Sequence, residues 1–362
     1  MRPTSRRPTS GSGSIMLILF VLLLGLSPAQ ALGSKRFDTD HKEKINGTTL
    51  HFRVRGADPG NPYLLILHGG PGFSAHMFYT WGPTLEQTVN VVYLDQRGSG
   101  ESEHLKLGNP FAPKKAEVKD YTIANLIGDI EGVRSFLKVD KWYVLGHSWG
   151  GMLGIEYAAA HPEHIAGYIH MDGLLSQPLA QDALLDFAET QYKMQSKSSD
   201  KAVQEKADSA LKSIAETRKT TPNLQRLMGA FTQVRPFFAQ VYYAHPEEAG
   251  AYNKQISDAI KEYHVPLSAL SAMEPAVALD ITDHYTSRDE TPLLARIMVP
   301  TLIINGKQDG IIPPRTAEKT HRGIAGSEIL LLDDCGHFPF MEQPVKTTAA
   351  LLDFFHKHPV QK

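Results

Sequence analysis

One serine lies in a five-residue pattern that is typical of nucleophilic catalysis. Residues 146–150 read Gly-His-Ser-Trp-Gly, a G-x-S-x-G motif with Ser148 at its centre. The motif follows the apolar run Trp142–Leu145 and precedes a segment of helical character, which is the strand–turn–helix context that such a motif requires. On this turn the hydroxyl is lifted out of the sheet and lies at the positive end of a helix. We therefore predict that Ser148 is a nucleophile; an incidental serine in a glycine-rich turn is the alternative interpretation.

A nucleophilic hydroxyl needs a base, and the base needs an acid that orients it. His337 lies in a Gly-His-Phe-Pro segment after the last predicted strand, where its ring can reach back over the sheet. Asp309 follows the strand predicted at Thr301–Ile304, and serine, acid and histidine then come in the order expected for this architecture. Asp333 and Asp334 are alternative acids, but they stand very close to the histidine in sequence. The preferred set is the serine with Asp309 and His337.

A glycine-rich loop supplies the third element of the predicted site. Residues 68–72 read His-Gly-Gly-Pro-Gly and follow the apolar run Tyr63–Leu67. Backbone N–H groups of such a loop can point at the negative oxygen that develops during acyl transfer. We predict that the N–H groups of Gly70 and Trp149 form the oxyanion hole.

Short apolar runs alternate with helical stretches at both ends of the chain, and these elements have to position the site. Strands are predicted at Thr49–Val54, Tyr63–Leu67, Val89–Leu94, Trp142–Leu145, Ile165–Met171, Thr301–Ile304 and Glu328–Leu332. Helices are predicted at Ile123–Leu137, Trp149–Ala160, Arg315–Gly323 and Val345–Phe355. Continuous apolar strands separated by helices indicate an α/β fold with a mostly parallel sheet that is flanked by helices on both faces.

The middle of the chain has a different pattern. Residues 173–290 show no buried parallel strand, and the stretch Gln181–Thr220 is rich in helix-forming residues. This segment holds 12 Lys and Arg against 16 Asp and Glu, a net charge of −4. We interpret it as a helical lid inserted between the two parts of one core, 32–172 and 291–362; a solvated helical surface explains most of its charges.

The first 31 residues have the pattern of a secretory signal peptide. Three arginines precede the apolar run Ile15–Leu26, which is followed by Ser-Pro and by the small-residue pattern Ala29-Gln30-Ala31. Twelve apolar residues are short for a membrane span. The prediction is cleavage after Ala31 and a secreted or periplasmic protein without stable membrane association; an uncleaved membrane anchor is the alternative.

Charge and cysteine content exclude other classes. The 362 residues carry a net charge of −2, and removal of residues 1–31 leaves 34 basic against 39 acidic residues, a net of −5. This balance argues against a nucleic-acid partner. A single cysteine, Cys335, excludes an intrachain disulfide and a cysteine-based zinc site. No metal or cofactor is expected, because the predicted chemistry needs none.

The motifs resemble those of the prolyl aminopeptidase (proline iminopeptidase) family of α/β-hydrolases. They are HGGPG at 68–72, DQRGSGES at 95–102, GHSWGG at 146–151, GKQD at 306–309 and GHFP at 336–339. The resemblance covers residues 49–172 and 291–355. It implies an α/β-hydrolase fold, the triad and oxyanion donors proposed above, and release of N-terminal residues, often proline, from peptides.

Substrate contacts are expected in the lid. The resemblance implies an acidic group that holds the free amine of the substrate, for which Glu274 and Glu189 are candidates. A solvated lid charge is the more common role of such residues and is the alternative for both. Phe237 and Phe238 are hypothesised to roof the pocket and to set the preference for acyl groups or side chains. The alternative interpretation is that these aromatic residues only pack the lid against the core.

Three functions compete at this level. The first is an exported aminopeptidase that acts on short peptides through an acyl-enzyme. The second is an esterase-type hydrolase of small acyl esters or amides on the same core. The third is a non-catalytic binding protein, against which the full set Ser148, Asp309 and His337 argues.

Overall fold

An eight-stranded sheet forms the centre of the computed structural model, which describes residues 37–109, 113–266 and 274–360. The strand order is β1-β2-β4-β3-β5-β6-β7-β8. β2 pairs antiparallel with β1 and β4, and every other pairing is parallel. The strands are β1 (Phe37–Ile45), β2 (Thr48–Gly56), β3 (Tyr63–Leu67), β4 (Asn90–Asp95), β5 (Trp142–His147), β6 (Ile165–Met171), β7 (Thr301–Gly306) and β8 (Glu328–Leu332).

Twelve α-helices flank the sheet or follow its strands within the described residues. They are α1 (Lys115–Val118), α2 (Ile123–Phe136), α3 (Trp149–Ala160), α4 (Gln177–Gln195), α5 (Lys201–Lys219), α6 (Leu224–Val234), α7 (Phe238–Tyr242), α8 (Ala249–Glu262), α9 (Glu274–Asp283), α10 (Pro314–Gly323), α11 (Pro339–Glu342) and α12 (Pro344–Lys357). Short 3₁₀ turns join several of them. This architecture confirms the predicted α/β-hydrolase fold with a mostly parallel sheet.

The central strands are apolar throughout because helices cover both faces of the sheet. Neighbouring residues of β3 belong to different cores: Leu65 and Leu67 pack on one face, whereas Leu64 and Ile66 pack on the other. All four are fully buried. The apolar run predicted as a strand, Tyr63–Leu67, has the same bounds as β3.

β1 is the strand that the sequence did not predict. It lies at the edge of the sheet, and its burial alternates between exposed and half-buried positions, so its sequence is largely polar. A two-residue turn at Asn46 and Gly47, with φ of 47° and 80°, joins it to β2. Both φ values lie in the left-handed region that this hairpin turn requires.

The chain between β6 and β7 contains helices α4 to α9 and, in its described residues, no strand of the sheet. This is the helical lid that the sequence predicted. Because β6 and β7 are neighbours in the sheet, the lid leaves and rejoins the core at adjacent strands. Its last part before α9 includes 267–273, which lie outside the described residues, as does the predicted signal peptide 1–31.

The parallel strands all end at one edge of the sheet. The residues that follow β3, β5, β6, β7 and β8 therefore meet there, and they include the predicted catalytic groups. None of the helices among the described residues is long and apolar enough to cross a membrane.

Candidate active site

Ser148 lies on a sharp turn between β5 and α3. Its backbone has φ 55° and ψ −122°, an uncommon conformation for a residue with a side chain. The two glycines of the motif are required by close approaches. A Cβ atom on Gly146 would overlap the carbonyl group of Gly150, and one on Gly150 would overlap the carbonyl group of Leu67. The motif therefore fixes a turn that projects the serine beyond the sheet at the N-terminus of α3.

His337 and Asp309 form a buried pair. The imidazole Nδ1–H of His337 donates to Asp309 Oδ2 at 2.7 Å, and both residues are 3% exposed. The other carboxylate oxygen, Oδ1, accepts the backbone N–H groups of Ile311 and Ile312 at 2.7 and 2.9 Å. Asp309 is therefore held rigidly as an acceptor for the histidine ring, which fixes the ring tautomer with Nε2 unprotonated.

The two alternative acids have other positions. Asp333 accepts a hydrogen bond from Lys307 Nζ at 2.7 Å and is largely exposed. Asp334 is an exposed turn residue with φ 52°. Neither has a hydrogen bond to His337, so the structure pairs the histidine with the preferred acid.

His147 ties the serine turn to the histidine loop. Its Nε2–H donates to the backbone carbonyl oxygen of His337 at 2.8 Å, and the two rings lie 4.9 Å apart. Burial, and then the nearby His337 charge, lower the pKa of His147 to about 3. His147 is therefore a neutral structural link between the loops that carry Ser148 and His337.

The glycine loop lies directly against the serine. A Cβ on Gly69 would stand 3.0 Å from Ser148 Cβ, and the next residue, Gly70, has φ +119°, which favours glycine. Trp149 is the first residue of α3, so its N–H has no acceptor within the helix. The predicted oxyanion donors thus belong to two backbone segments that flank Ser148.

Gln96 connects these two segments, and sequence reasoning did not single it out. Its side-chain amide donates to the carbonyl oxygen of His68 at 2.9 Å, and its Oε1 accepts the indole N–H of Trp149 at 2.8 Å. Its backbone N–H donates to His68 Nε2 at 3.1 Å. Gln96 comes directly after β4, at the same end of the sheet as Ser148, and this position could have marked it as a residue of the site.

The charged residues on either side of Gln96 are buried and hold this loop in place. Arg97 donates two hydrogen bonds to Asp129, with Nε–Oδ2 at 2.7 Å and Nη2–Oδ1 at 2.6 Å. Asp95 accepts hydrogen bonds from Ser74, Ala75, Glu101 and His51 at 2.6–2.9 Å. Burial alone would raise the pKa of Asp95, but the hydrogen bond and charge of His51, with the charge of His68, lower it to about 2.

A segment of the lid lies on the two loops that carry the acid and the histidine. The carbonyl oxygen of Val241 accepts the N–H of Gly310 at 3.0 Å, and that of Tyr242 accepts the N–H of His337 at 2.7 Å. The ring of Tyr242 stands edge-on to the His337 ring at 5.5 Å. The lid backbone is therefore part of the support of the His337–Asp309 pair.

The four predicted substrate contacts have different surroundings. Phe237 is 6% exposed and packs edge-on against Tyr192 at 5.1 Å, within the core of the lid. Phe238 is 56% exposed, and its ring contacts Tyr242 at 4.6 Å. Phe238 is thus linked to the His337 loop through Tyr242, whose ring contacts both.

Within the described part of the chain, neither candidate amine anchor forms a hydrogen bond or ion pair with Ser148, Asp309 or His337. Glu189 accepts a hydrogen bond from Arg218 at 3.0 Å and forms an ion pair with Lys193, so two basic side chains already neutralise it. Glu274 is half-buried at the start of α9. Their roles, like those of Phe237 and Phe238, stay predictions.

Two groups of side chains among the described residues have metal-like geometry. One is Asp172 with the Asp309–His337 pair. The other is Glu131 with His161 and His164. In this group Arg134 donates hydrogen bonds to both carboxylate oxygens of Glu131. An arginine in contact with the carboxylate opposes the binding of a cation there. The expectation that no metal or cofactor is needed stays a prediction.

Comparison with known proteins identifies the relatives of this chain. Residues 62–344 match the family model described as alpha/beta hydrolase fold. The proline iminopeptidase of Thermoplasma volcanium is 26% identical over 87% of this chain and 96% of its own length. The proline iminopeptidase of Lactobacillus helveticus is also 26% identical, over 88% of this chain and 97% of its own length.

Solved structures share the fold. A proline iminopeptidase-related protein of Thermus thermophilus has a TM-score of 0.67 at 21% identity and covers 89% of this chain and 98% of its own. A thermophilic esterase from Thermogutta terrifontis has a TM-score of 0.58 at 22% identity, with coverages of 88% and 99%. At these identities the likeness concerns the fold alone.

Proposed function

This chain belongs to the α/β-hydrolase family, and from that premise we propose that it is an exported serine aminopeptidase that releases N-terminal residues from short peptides through an acyl-enzyme. Its likeness to proline iminopeptidases rests on relatives that align with nearly its whole length. The observation that carries the proposal is the buried His337–Asp309 pair, whose polar atoms are 2.7 Å apart. His147 joins the loop of His337 to the Ser148 turn.

The proposed reaction has two steps. His337 takes the proton of the Ser148 hydroxyl while the serine oxygen attacks the carbonyl carbon of the N-terminal residue. The oxyanion is held by the N–H groups of Gly70 and Trp149, and His337 returns the proton to the departing amine. Water, activated in the same way, then hydrolyses the acyl-enzyme and releases the free amino acid. Asp309 orients His337 and stabilises its charged form throughout.

Selection of a peptide terminus requires recognition of a free amine. The lid carries most of the negative charge of residues 32–362, −4 of −5, which favours a cationic group near it. Glu274 and Glu189 are the proposed anchors, and Phe237 and Phe238 the proposed apolar contacts. The same triad would also hydrolyse small esters, so an esterase is the second candidate.

A substrate panel separates the two candidates. Aminoacyl-naphthylamides, including the prolyl compound, their N-acetylated forms and short-chain p-nitrophenyl esters would be assayed with the wild type and with Ser148→Ala. We expect turnover of the free aminoacyl compounds and its loss on acetylation. Equal turnover of the acetylated compounds, or turnover of esters alone, would contradict the aminopeptidase and favour the esterase.

Export is tested separately. The first residue of the protein recovered from outside the cytoplasm is expected to be Leu32, since cleavage is proposed after Ala31. A protein that keeps residues 1–31 and sediments with membranes would show instead that the apolar run serves as an anchor.

A further inference from the structure

A second carboxyl group lies beside the His337–Asp309 pair. Asp172 follows β6 directly, is fully buried and has φ 40°, a left-handed conformation that aspartate tolerates better than most residues. Asp172, Asp309 and His337 each place one polar atom within 4.8 Å of the others. The proposed mechanism assigns no role to this group.

The two oxygens of Asp172 have unequal surroundings. Oδ1 accepts the backbone N–H of Gly306 at 2.9 Å. Oδ2 is buried and has no hydrogen-bond partner in the described structure. A buried acceptor without a donor is costly, whereas a proton on that oxygen would turn it into a donor. Among the described residues, the carboxylate that shares this cluster with Asp172, and that could accept such a hydrogen bond, is that of Asp309.

Two buried carboxyl groups at this distance are not both ionised, because their like charges repel in a medium of low dielectric constant. Asp309 is the more strongly stabilised as an anion, since two backbone N–H groups and His337 donate to it. Asp172 accepts one such bond. The proton therefore belongs on Asp172.

The other ionisable groups around Asp172 point the same way. Burial, and then the charge of Asp309, raise the pKa of Asp172 well above its usual range, and Glu342 on α11 adds to this. The thiol of Cys335 in the loop after β8 also faces it, and burial raises the pKa of that thiol. His337 is the one cationic group of the cluster when protonated, and it is already bound to Asp309.

We propose that Asp172 is a positioning residue of the triad: a neutral carboxylic acid whose Oδ2–H donates to the Asp309 carboxylate and holds it in the orientation that His337 requires. The proposal rests on the function proposed above for Asp309 and His337. It predicts that one negative charge, not two, faces the histidine ring during turnover.

Two variants of Asp172 separate its hydrogen bond from its charge. Asp172→Asn keeps a donor toward Asp309 and an acceptor for the Gly306 N–H, carries no charge and suits the left-handed backbone. Asp172→Val removes both polar functions at similar size, but its branched Cβ also disfavours φ 40°, so the unfolding temperature of both variants is measured beside kcat. We expect Asp172→Val to lower kcat by about tenfold or more with little change in KM, which is the size of effect typical of supporting contacts, and Asp172→Asn to lower it much less.

The acid limb of the pH profile of kcat/KM reports protonation of the general base in the free enzyme. If Asp172 is neutral, Asp172→Asn leaves this limb where it is in the wild type. If Asp172 were ionised, its replacement would remove a negative charge that favours the protonated base, and the limb would move to lower pH. Such a shift, or a kcat of Asp172→Val equal to that of the wild type, would overturn the proposal.

Infrared difference spectroscopy provides a readout without substrate. The spectrum of the wild type minus that of Asp172→Asn at neutral pH is expected to contain the C=O stretch of a protonated carboxylic acid. A difference spectrum with only carboxylate bands would overturn the proposal even if Asp172→Val fails to fold. Failure of the proposed function itself would appear elsewhere, as hydrolysis that persists in Ser148→Ala.

Discussion

At the residue scale, Ser148 stands in a backbone conformation that its own side chain disfavours. Strain of this kind costs roughly 1–3 kcal/mol and persists only where the surroundings impose it. Here the surroundings are the close approaches at Gly146 and Gly150 and the hydrogen bond from the Leu174 N–H to the Ser148 carbonyl oxygen at 2.8 Å. The turn is therefore built for the position of the hydroxyl, which makes the serine the first residue to test.

Ser148→Ala is expected to abolish hydrolysis of aminoacyl-naphthylamides and p-nitrophenyl esters, because no acyl-enzyme can form without the hydroxyl. Labelling by a fluorophosphonate probe would disappear with it. The unfolding temperature should stay near that of the wild type, since the substitution removes one oxygen. Labelling of the variant at wild-type level would show that another residue is the nucleophile.

Gln96→Ala is expected to lower kcat by about tenfold, an energy of about 1.4 kcal/mol. The substitution removes the bonds to His68 and to the Trp149 indole, and so frees the two segments that carry the oxyanion donors. KM for a small ester should change little, because the loss is larger in the transition state. Gln87→Ala, at an exposed position, is the matched control; equal kcat in the two variants would contradict the role of Gln96.

At the element scale, one side chain of α11 joins the lid to the histidine loop. Glu342 Oε2 accepts the N–H of Ala244 at 2.8 Å and that of Gly336 at 3.0 Å, and Oε1 accepts the N–H of Phe338 at 3.2 Å. Burial raises the pKa of Glu342 although these three donors oppose it. The carboxylate thus holds three backbone groups on both sides of His337.

Glu342→Ala is expected to lower the free energy of unfolding by about 1–3 kcal/mol, because buried N–H groups lose their acceptor. Activity should fall as well, since the loop of His337 is no longer held against the lid. Chemical denaturation and kcat measurements would check both effects. Glu318→Ala, on the exposed face of α10, should leave both unchanged; a comparable loss there would deny Glu342 a specific role.

The strands, the serine turn and the order of the acid and the histidine could be predicted, because each depends on a local pattern in the sequence. Three strands were predicted with their observed bounds: Tyr63–Leu67, Ile165–Met171 and Glu328–Leu332. β1 could not be predicted, because an edge strand with alternating exposure has a largely polar sequence that resembles a loop. Gln96, Glu342 and Asp172 were missed for another reason. Their partners lie on other strands or loops, and no spacing within the sequence reports such contacts.

At the scale of the whole molecule, a buried ion pair ties the antiparallel edge of the sheet to its centre. Both ring nitrogens of His51 in β2 face carboxylates, Asp95 in β4 and Asp40 in β1, each at 2.8 Å. Burial would lower the pKa of His51, but the hydrogen bond and charge of Asp95, with the charges of Glu101 and Asp40, outweigh it and raise that pKa. When the His51 ring in β2 is protonated, its positive charge therefore lies between carboxylates of β4 and β1.

The stability of the fold should depend on pH through this residue. A histidine whose pKa is raised on folding contributes stability that is complete below its unfolded value of about 6.5 and is lost as pH rises through the folded pKa. The lowered pKa of Asp95 keeps its carboxylate charged down to about pH 2, so the contribution is present in the mildly acidic range. The advantage of the wild type over His51→Gln in unfolding free energy should therefore shrink above pH 6.5; an advantage that is constant from pH 5 to 9 would contradict this.

The backbone bonds from Val241 and Tyr242 to the Asp309 and His337 loops have a consequence for how a substrate reaches the serine. Movement of this lid segment away from the core would break the hydrogen bonds of the Gly310 and His337 N–H groups. It would therefore release the loops that carry Asp309 and His337. We therefore expect this part of the lid to act as a fixed wall that a substrate passes on its way to Ser148. Under the proposed function, such a wall would select substrates by size and by shape before any of them reaches Ser148.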